Sequence, residues 1–220
     1  MRVFISFAAA VMSLSLLGAP ARAEVIFSSF GAGDSFDTSG GWTVGSGGTT
    51  PAELFLSGAT YSLSEIDLAL SHVMGSNHAV VSLWSDNANS PGIELGSWAV
   101  SGQGPFGSAV ALTEISVSGI TLTSGEQYFL EVAPGNDNTY DVWNLSNLAL
   151  DLPLSENGAP TTSPPSAAGA FRLIGSQTRI DAPINDAPVR VPEPGSLLLF
   201  GSGLLGFSIA HRRRKRSSNS

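Results

Sequence analysis

Apolar residues recur at every second position in short runs along the middle of this chain, and that period constrains its fold more than any other feature. Ile66, Leu68 and Leu70 alternate with Asp67, Ala69 and Ser71; Val81 and Leu83 flank Ser82, with Trp84 closing the run. Tyr128, Leu130 and Val132 point one way while Glu131 points the other, and Ile115–Val117, Ile120–Leu122 and Phe171–Leu173 add further short runs. A period of two belongs to strands with one face on a core. Gly and Pro together number 38, and turn signals separate the runs: Ser90-Pro91-Gly92 as a tight turn, Ser124-Gly125-Glu126 as a hairpin corner, and Pro134 to Asn138 as a loop with Gly and Asn free to take positive φ. Gly40-Gly41 and the glycines from Gly45 to Gly48 leave the segment around Trp42 irregular. No amphipathic helix is evident in this region. The pattern predicts an all-β chain with a single β-sandwich or jelly-roll-like domain.

Charge is segregated. Between Ala23 and Phe171 there are fifteen acids and no Lys or Arg. Such a surface has nothing to neutralise phosphates, which excludes a nucleic-acid-binding domain. The chain has no Cys, so disulfides, thiolate catalysis and Cys-based zinc sites are absent.

The two ends read as targeting segments. Arg2, an apolar stretch from Val3 to Gly18, and small residues at Ala21 and Ala23 form a secretory signal peptide, with signal peptidase expected to cut between Ala23 and Glu24. At the other end, Gly195–Ala210 is an uncharged run of sixteen residues followed by Arg212, Arg213, Arg214, Lys215 and Arg216. As a helix it would be about 24 Å long, slightly short of a ~30 Å hydrocarbon core, with snorkelling arginines and local thinning making up the difference. The basic run keeps the C-terminus cytoplasmic and the acidic domain outside. Gly201, Gly203 and Gly206 match a dinucleotide fingerprint, but only fourteen residues follow and none is acidic, so they read as small residues in a membrane helix. The organisation is therefore a signal peptide (1–23), a β domain (24–181), a Pro-rich extended stalk (182–190) and a C-terminal segment (191–220) containing the membrane helix (195–210) and basic stop (212–216).

Val191, Pro192, Glu193 and Pro194 stand just before that helix. Motif, short helix and basic cluster in this order resemble the PEP-CTERM sorting signal. The resemblance implies recognition by an exosortase, a membrane cysteine protease-transferase. It also implies cleavage near the motif, a transient inner-membrane anchor, and release or transfer to the cell surface or an exopolysaccharide (biofilm) matrix. The two prolines hold an extended, helix-free peptide at the membrane surface, a form a protease cleft accepts. The β region is similar to the choice-of-anchor R type extracellular domain. That likeness rests on Ala52–Phe55, Ile66–Leu70, Val81–Trp84 with Ser90-Pro91-Gly92, Leu122–Val132, Trp143 and Ala170–Arg172. Phe129 stands where that domain usually has Trp. This second resemblance implies location and architecture and carries over no catalytic residue.

Candidate chemistry is sparse. His72 and His78 read as surface histidines at loops or strand ends; with Asp67 or Asp86 they could be assembled into a zinc site only on paper. No G-x-S-x-G elbow supports a serine hydrolase. Asp86, Asn87 and Asn89 in one loop, and Asn136 and Asp137 with Asp141 in another, offer oxygens that a structural Ca²⁺ could use, although Asp and Asn also make plain turns. Trp42, Trp84, Trp98 and Trp143 read as core before sugar platform. The expected function is a non-enzymatic, cofactor-free structural protein of the cell surface or matrix. A carbohydrate-binding module is the second reading and a secreted polysaccharide hydrolase the third, discriminated by an exposed Trp beside convergent polar groups or by two carboxylates about 5–10 Å apart in a cleft.

Overall fold

The computed structural model describes residues 22–45, 49–161 and 166–178, and among them there are seventeen strands and no helix. By internal contacts the chain divides at Arg179/Ile180. The stalk, the Val191–Pro194 motif, segment 195–210, Arg212–Arg216 and Ala21 lie outside the described residues. No helix among the described residues is long and apolar enough to cross a membrane.

Three antiparallel-dominated sheets form the body. The first runs β1 (Ala23–Ser28), β17 (Phe171–Gln177), β4 (Tyr61–Leu68), with β9 (Thr113–Ser116) and β10 (Thr121–Leu122) both pairing along β4. The second runs β15 (Ala159–Pro160), β14 (Leu154–Glu156), β3 (Pro51–Leu56), β11 (Gln127–Pro134), β6 (His78–Asp86), β7 (Pro91–Ser101). The third runs β2 (Phe36–Gly45), β12 (Thr139–Ser146), β5 (Leu70–Gly75), β8 (Gly104–Pro105), the last pair parallel. β13 (Asp151–Leu152) and β16 (Ser166–Ala167) form a small ladder of their own. The sheets are open; no barrel closes.

One core is shared by all three sheets. Leu63, Ile66 and Leu173 come from the first, Phe55, Val81, Leu83, Leu130 and Val132 from the second, and Val44, Leu70 and Trp143 from the third. Phe171 stacks on Phe27 at 4.8 Å between ring centroids and meets Phe55 and Trp143 edge-on at 6.1 and 5.6 Å. The expected one-sided parity holds for Tyr128, Leu130 and Val132 and for Val81 and Leu83, all in this core. Each such side chain removed from water contributes about 1.5–3 kcal/mol, which here has to offset the ordering of a turn-rich chain.

Several sequence expectations need correction. Ile66 to Ser71 does alternate, but every residue from Ile66 to Ser71 is buried. The reason is that the chain crosses from the first sheet to the third at Ala69. Ala69 N donates to Ala170 O, Asn144 N to Ala69 O and Ala170 N to Asn144 O, so the ladder continues across the seam. Buried hydroxyls and an amide fill that seam. Ser29 Oγ donates to Gly169 O (2.6 Å) and accepts from Phe171 N (2.8 Å), Ser146 Oγ donates to Ser29 O, and Ser71 Oγ donates to Asn144 Oδ1.

The turns also shift. The strand through Trp84 continues to Asp86, and the tight turn centres on Ala88 and Asn89 (φ 54° and 66°), with Asn87 and Ser90 exchanging backbone hydrogen bonds; Pro91 and Gly92 already belong to β7. Two positive-φ residues in a two-residue loop match the twist of a hairpin. Ser124–Glu126 is a turn, with Gly125 at φ 79°, but β10 and β11 belong to different sheets, so it is an arch and not a hairpin corner. None of Gly135, Asn136 and Asn138 takes positive φ. Instead the Asn136 side chain accepts from Asn138 N at 3.0 Å, an Asx turn in place of a left-handed residue. The segment around Trp42, expected to be irregular, is the ten-residue strand β2.

Candidate functional site

The signal-cleavage residues that are described sit at the start of β1. Ala23 is opposite Ser176 and Glu24 opposite Gly175 on β17. A cut between Ala23 and Glu24 would therefore leave β1 nearly whole.

The two oxygen-rich loops lie at opposite ends of β6. Asp86 closes its C-terminal end, whereas Gly135, beside Asn136, donates its N–H to His78 O at the other. Eight residue steps of strand separate them, about 26 Å, so one ion cannot bind both. Asp86 Oδ1 accepts from Asn89 N at 2.9 Å, closing its own turn. Asn136 Oδ1 accepts from Asn138 N and its Nδ2 donates to Ser76 Oγ at 2.9 Å. Asp141 does not join that loop. It lies in β12, shielded from solvent, and its Oδ1 meets His72 Nδ1 at 2.7 Å. Among the described residues no group of three His, Asp or Glu side chains is placed to hold a metal ion.

The His72–Asp141 pair corrects the reading of His72 as a free surface residue. β5 and β12 pair across this point, with a register shift between Tyr140 and Asp141 that brings Asp141 opposite His72. Burial pushes the Asp141 carboxyl above its ordinary pKa, and the bond to His72 works against that rise. Asp141 Oδ2 and both amide atoms of buried Gln103 have no partner. Gln103 leads into β8, which runs alongside Ser71 and His72. The dyad can hold an oriented imidazole, and no described Ser or Thr hydroxyl bonds to His72.

A second buried carboxylate, Asp67, is held by Arg172, whose Nε and Nη2 reach Asp67 Oδ2 at 2.8 and 2.6 Å. Arg172 also reaches Asp34 Oδ1 at 2.7 Å and lies over the Phe30 ring. Burial alone would lower the Arg172 pKa; Asp67 and then Asp34 more than reverse this. Glu65, two residues from Asp67 on the same face, is pushed up chiefly by its contact with Asp67. Asp67, which on paper could join a zinc set, is thus committed to the guanidinium.

The third is Glu53, which sequence reasoning missed. It sits on β3 in the core, 1% exposed, where its Oε1 accepts from Trp42 Nε1 at 2.9 Å and from Gly169 N. Oε2 has no partner. Burial pushes its carboxyl up to about 8, against the pull of those two donors, so at neutral pH it is held neutral. The one available signal was an acid inside the apolar run Ala52-Glu53-Leu54-Phe55.

The tryptophans divide three to one. Trp143 is fully buried, and Trp42 and Trp98 pack against the main core. Trp84 lies on the opposite face of the second sheet with Ala52, Leu54 and Phe129. It is half-buried and opposite exposed Glu94 on β7, with the Ser82–Ser97 hydroxyl pair beside it on the same two strands.

Fold and site together define an open, cysteine-free all-β domain whose three buried carboxylates each hold a partner on another strand. The chain's family signal lies elsewhere: a family model described as the PEP-CTERM protein-sorting motif matches residues 190–215. That match supports an exported protein with a C-terminal membrane-anchoring sorting signal that an exosortase processes. No curated protein matches the chain in sequence.

Proposed function

We propose that this protein is a non-enzymatic structural component of the cell surface or exopolysaccharide matrix, exported by its signal peptide and sorted by an exosortase through its tail. The observation that carries the reading is the sorting-motif match over residues 190–215. The resemblance read in the sequence to choice-of-anchor R type modules, which carry interchangeable C-terminal surface anchors, fits the same role. So do its polar groups: the His72–Asp141, Arg172–Asp67 and Glu53–Trp42 contacts all tie strands to one another.

The test is the mature chain itself. Mass spectrometry of the surface fraction should find an N-terminus at Glu24 and a C-terminus near Pro192–Pro194. In cells lacking the exosortase, the chain should stay in the membrane with Ser220 intact. A surface form ending at Ser220 overturns the sorting reading.

Carbohydrate binding is the second reading, favoured by half-buried Trp84 on the face of the second sheet away from the main core, near Glu94, Ser82 and Ser97. Retention of the protein on the host's own polysaccharide, lost in Trp84→Ala, would promote it over a purely structural role.

A further inference from the structure

The second sheet ends very differently on its two sides. One edge is β15, two residues long and closed by Pro160; the other is β7, eleven residues long. The pairing of β7 with β6 slips between Leu83 and Trp84 and again between Trp84 and Asp86, so the Pro91–Leu95 half is kinked. From Gly96 to Ser101 the pairing with β6 is uninterrupted, and among the described residues no strand pairs with the other side of β7. Alternate backbone N–H and C=O groups along that side therefore face outward. Edges are ordinarily protected by Lys, Pro, an inward charge, a bulge or extreme shortness. The segment Gly96-Ser97-Trp98-Ala99-Val100-Ser101 has none of these.

We infer that β7 pairs antiparallel with β7 of a second copy of this chain, through Gly96–Ser101, joining two six-stranded sheets across a two-fold axis. The strand complements itself. With Ala99 opposite Ala99, Ser97 meets Ser101 and Trp98 meets Val100, a hydroxyl pair and an aromatic–β-branched pair of the kinds that stabilise neighbouring strands. Trp98 and Val100 already pack against the main core, so the pairing extends that apolar face and lets the same patch serve both copies. Charge also allows it. The domain is acidic throughout, so most contacts between copies would oppose carboxylates, but the one charge on β7, Glu94, lies in the kinked half outside the pairing.

The chain has no Cys, which makes the contact directly readable in the full chain after export and recovery from its host. Opposed residues of an antiparallel pair lie about 4.5–5.5 Å apart at Cα, within disulfide reach. Exposed Ala99→Cys should give a disulfide-linked dimer on oxidation, whereas Ser124→Cys, in the exposed arch before β11, should not. In sedimentation, the wild-type protein should gain mass with concentration. Ala99→Glu, which sets two like charges on the axis, should weaken association by roughly tenfold or more, while Ser124→Glu, equal in charge, should not. Circular dichroism of Ala99→Glu separates lost pairing from lost folding; if that variant unfolds, the cysteine comparison alone decides. A wild-type monomer at every concentration, equal cross-linking by both cysteine variants or by neither, or capture of a different protein by Ala99→Cys would each overturn the inference.

Discussion

Glu53 gives the sharpest quantitative prediction. Its carboxyl is fully shielded between the second and third sheets, accepts two hydrogen bonds on Oε1, and has an ordinary value of 4.5 raised to about 8. A group whose pKa is raised on folding holds its proton longer in the native state than in the open chain. Below about 4.5 both states are protonated and the full stabilisation is present. Between about 4.5 and 8 only the unfolded chain has released the proton, so stability falls as pH rises, by about 1.4 kcal/mol per pH unit. Above about 8 the loss levels off. The total is about 5 kcal/mol across that window, comparable to the whole stability of many domains. Glu53→Gln should remove this dependence. Its carbonyl oxygen can still accept from Trp42 Nε1 and Gly169 N, and its amide stands where the protonated Oε2 stood. Asp141, Glu65 and Glu131 are also pushed up, but both proteins share them, so they cancel in the difference. Urea unfolding of the two exported proteins at pH 5, 6, 7 and 8 measures that difference. The variant should gain relative to wild type by several kcal/mol from pH 5 to 8. A difference that stays constant with pH would refute the claim that Glu53 is buried and neutral.

Arg172→Met should destabilise by about 3–5 kcal/mol in denaturant unfolding, because it leaves Asp67 buried without its partner. Asp67→Asn combined with Arg172→Met should recover part of that loss. Glu193→Ala should leave membrane insertion intact but leave the tail uncut, read as a retained Ser220 by mass spectrometry. Neutralising Arg212–Arg216 should instead disturb orientation, read by protease accessibility of the tail. NaCl should raise the melting temperature modestly by screening an acidic domain. A Ca²⁺ titration at constant ionic strength decides between turn and ion site for Asp86 and Asn136, whose side chains each accept one backbone N–H in their own turns; a flat titration makes them plain turns. A saturable calcium shift lost in Asp86→Ala or Asp137→Ala would show that those loops bind calcium.

Which residues share a face was legible; which sheet they join was not. Period two gives the parity of Tyr128, Leu130 and Val132 because neighbouring side chains of a strand must point to opposite sides. It carries no information about the partner strand. Ile66–Ser71 therefore looked half-exposed, although a crossover at Ala69 buries both faces, and Ser124–Glu126 looked like a hairpin although it links two sheets. The glycines around Trp42 looked like a loop, yet β2 uses them for close approach: a Cβ on Gly41 would strike the Val142 side chain and the Trp143 carbonyl. Glu53, Asp67 and Asp141 were invisible as buried groups because an acid reads alike whether its partner is water, Trp42, Arg172 or His72, and each partner is distant in sequence or reached through a bulge.

The two ends of the described domain lie side by side, which bears on how the expected leader and the sorting tail join the fold. β1 begins at Ala23 and pairs antiparallel with β17, which ends at Gln177, so the chain enters and leaves side by side. β17 is hydrogen-bonded on both sides, to β1 and to β4, and the chain beyond it leads to the sorting signal. A pull on that tail would act on an interior strand held by ladder bonds to two neighbours. β1 has only β17 as a neighbour, and Ser29, just after it, locks onto Gly169 and Phe171 through its hydroxyl. Cleavage after Ala23 would spare that lock and all but the first pair of the β1 ladder, whereas a cut several residues later would strip β17 of its neighbour. A cut at the Ala23/Glu24 bond expected from the sequence is thus compatible with a β17 that stays paired on both sides.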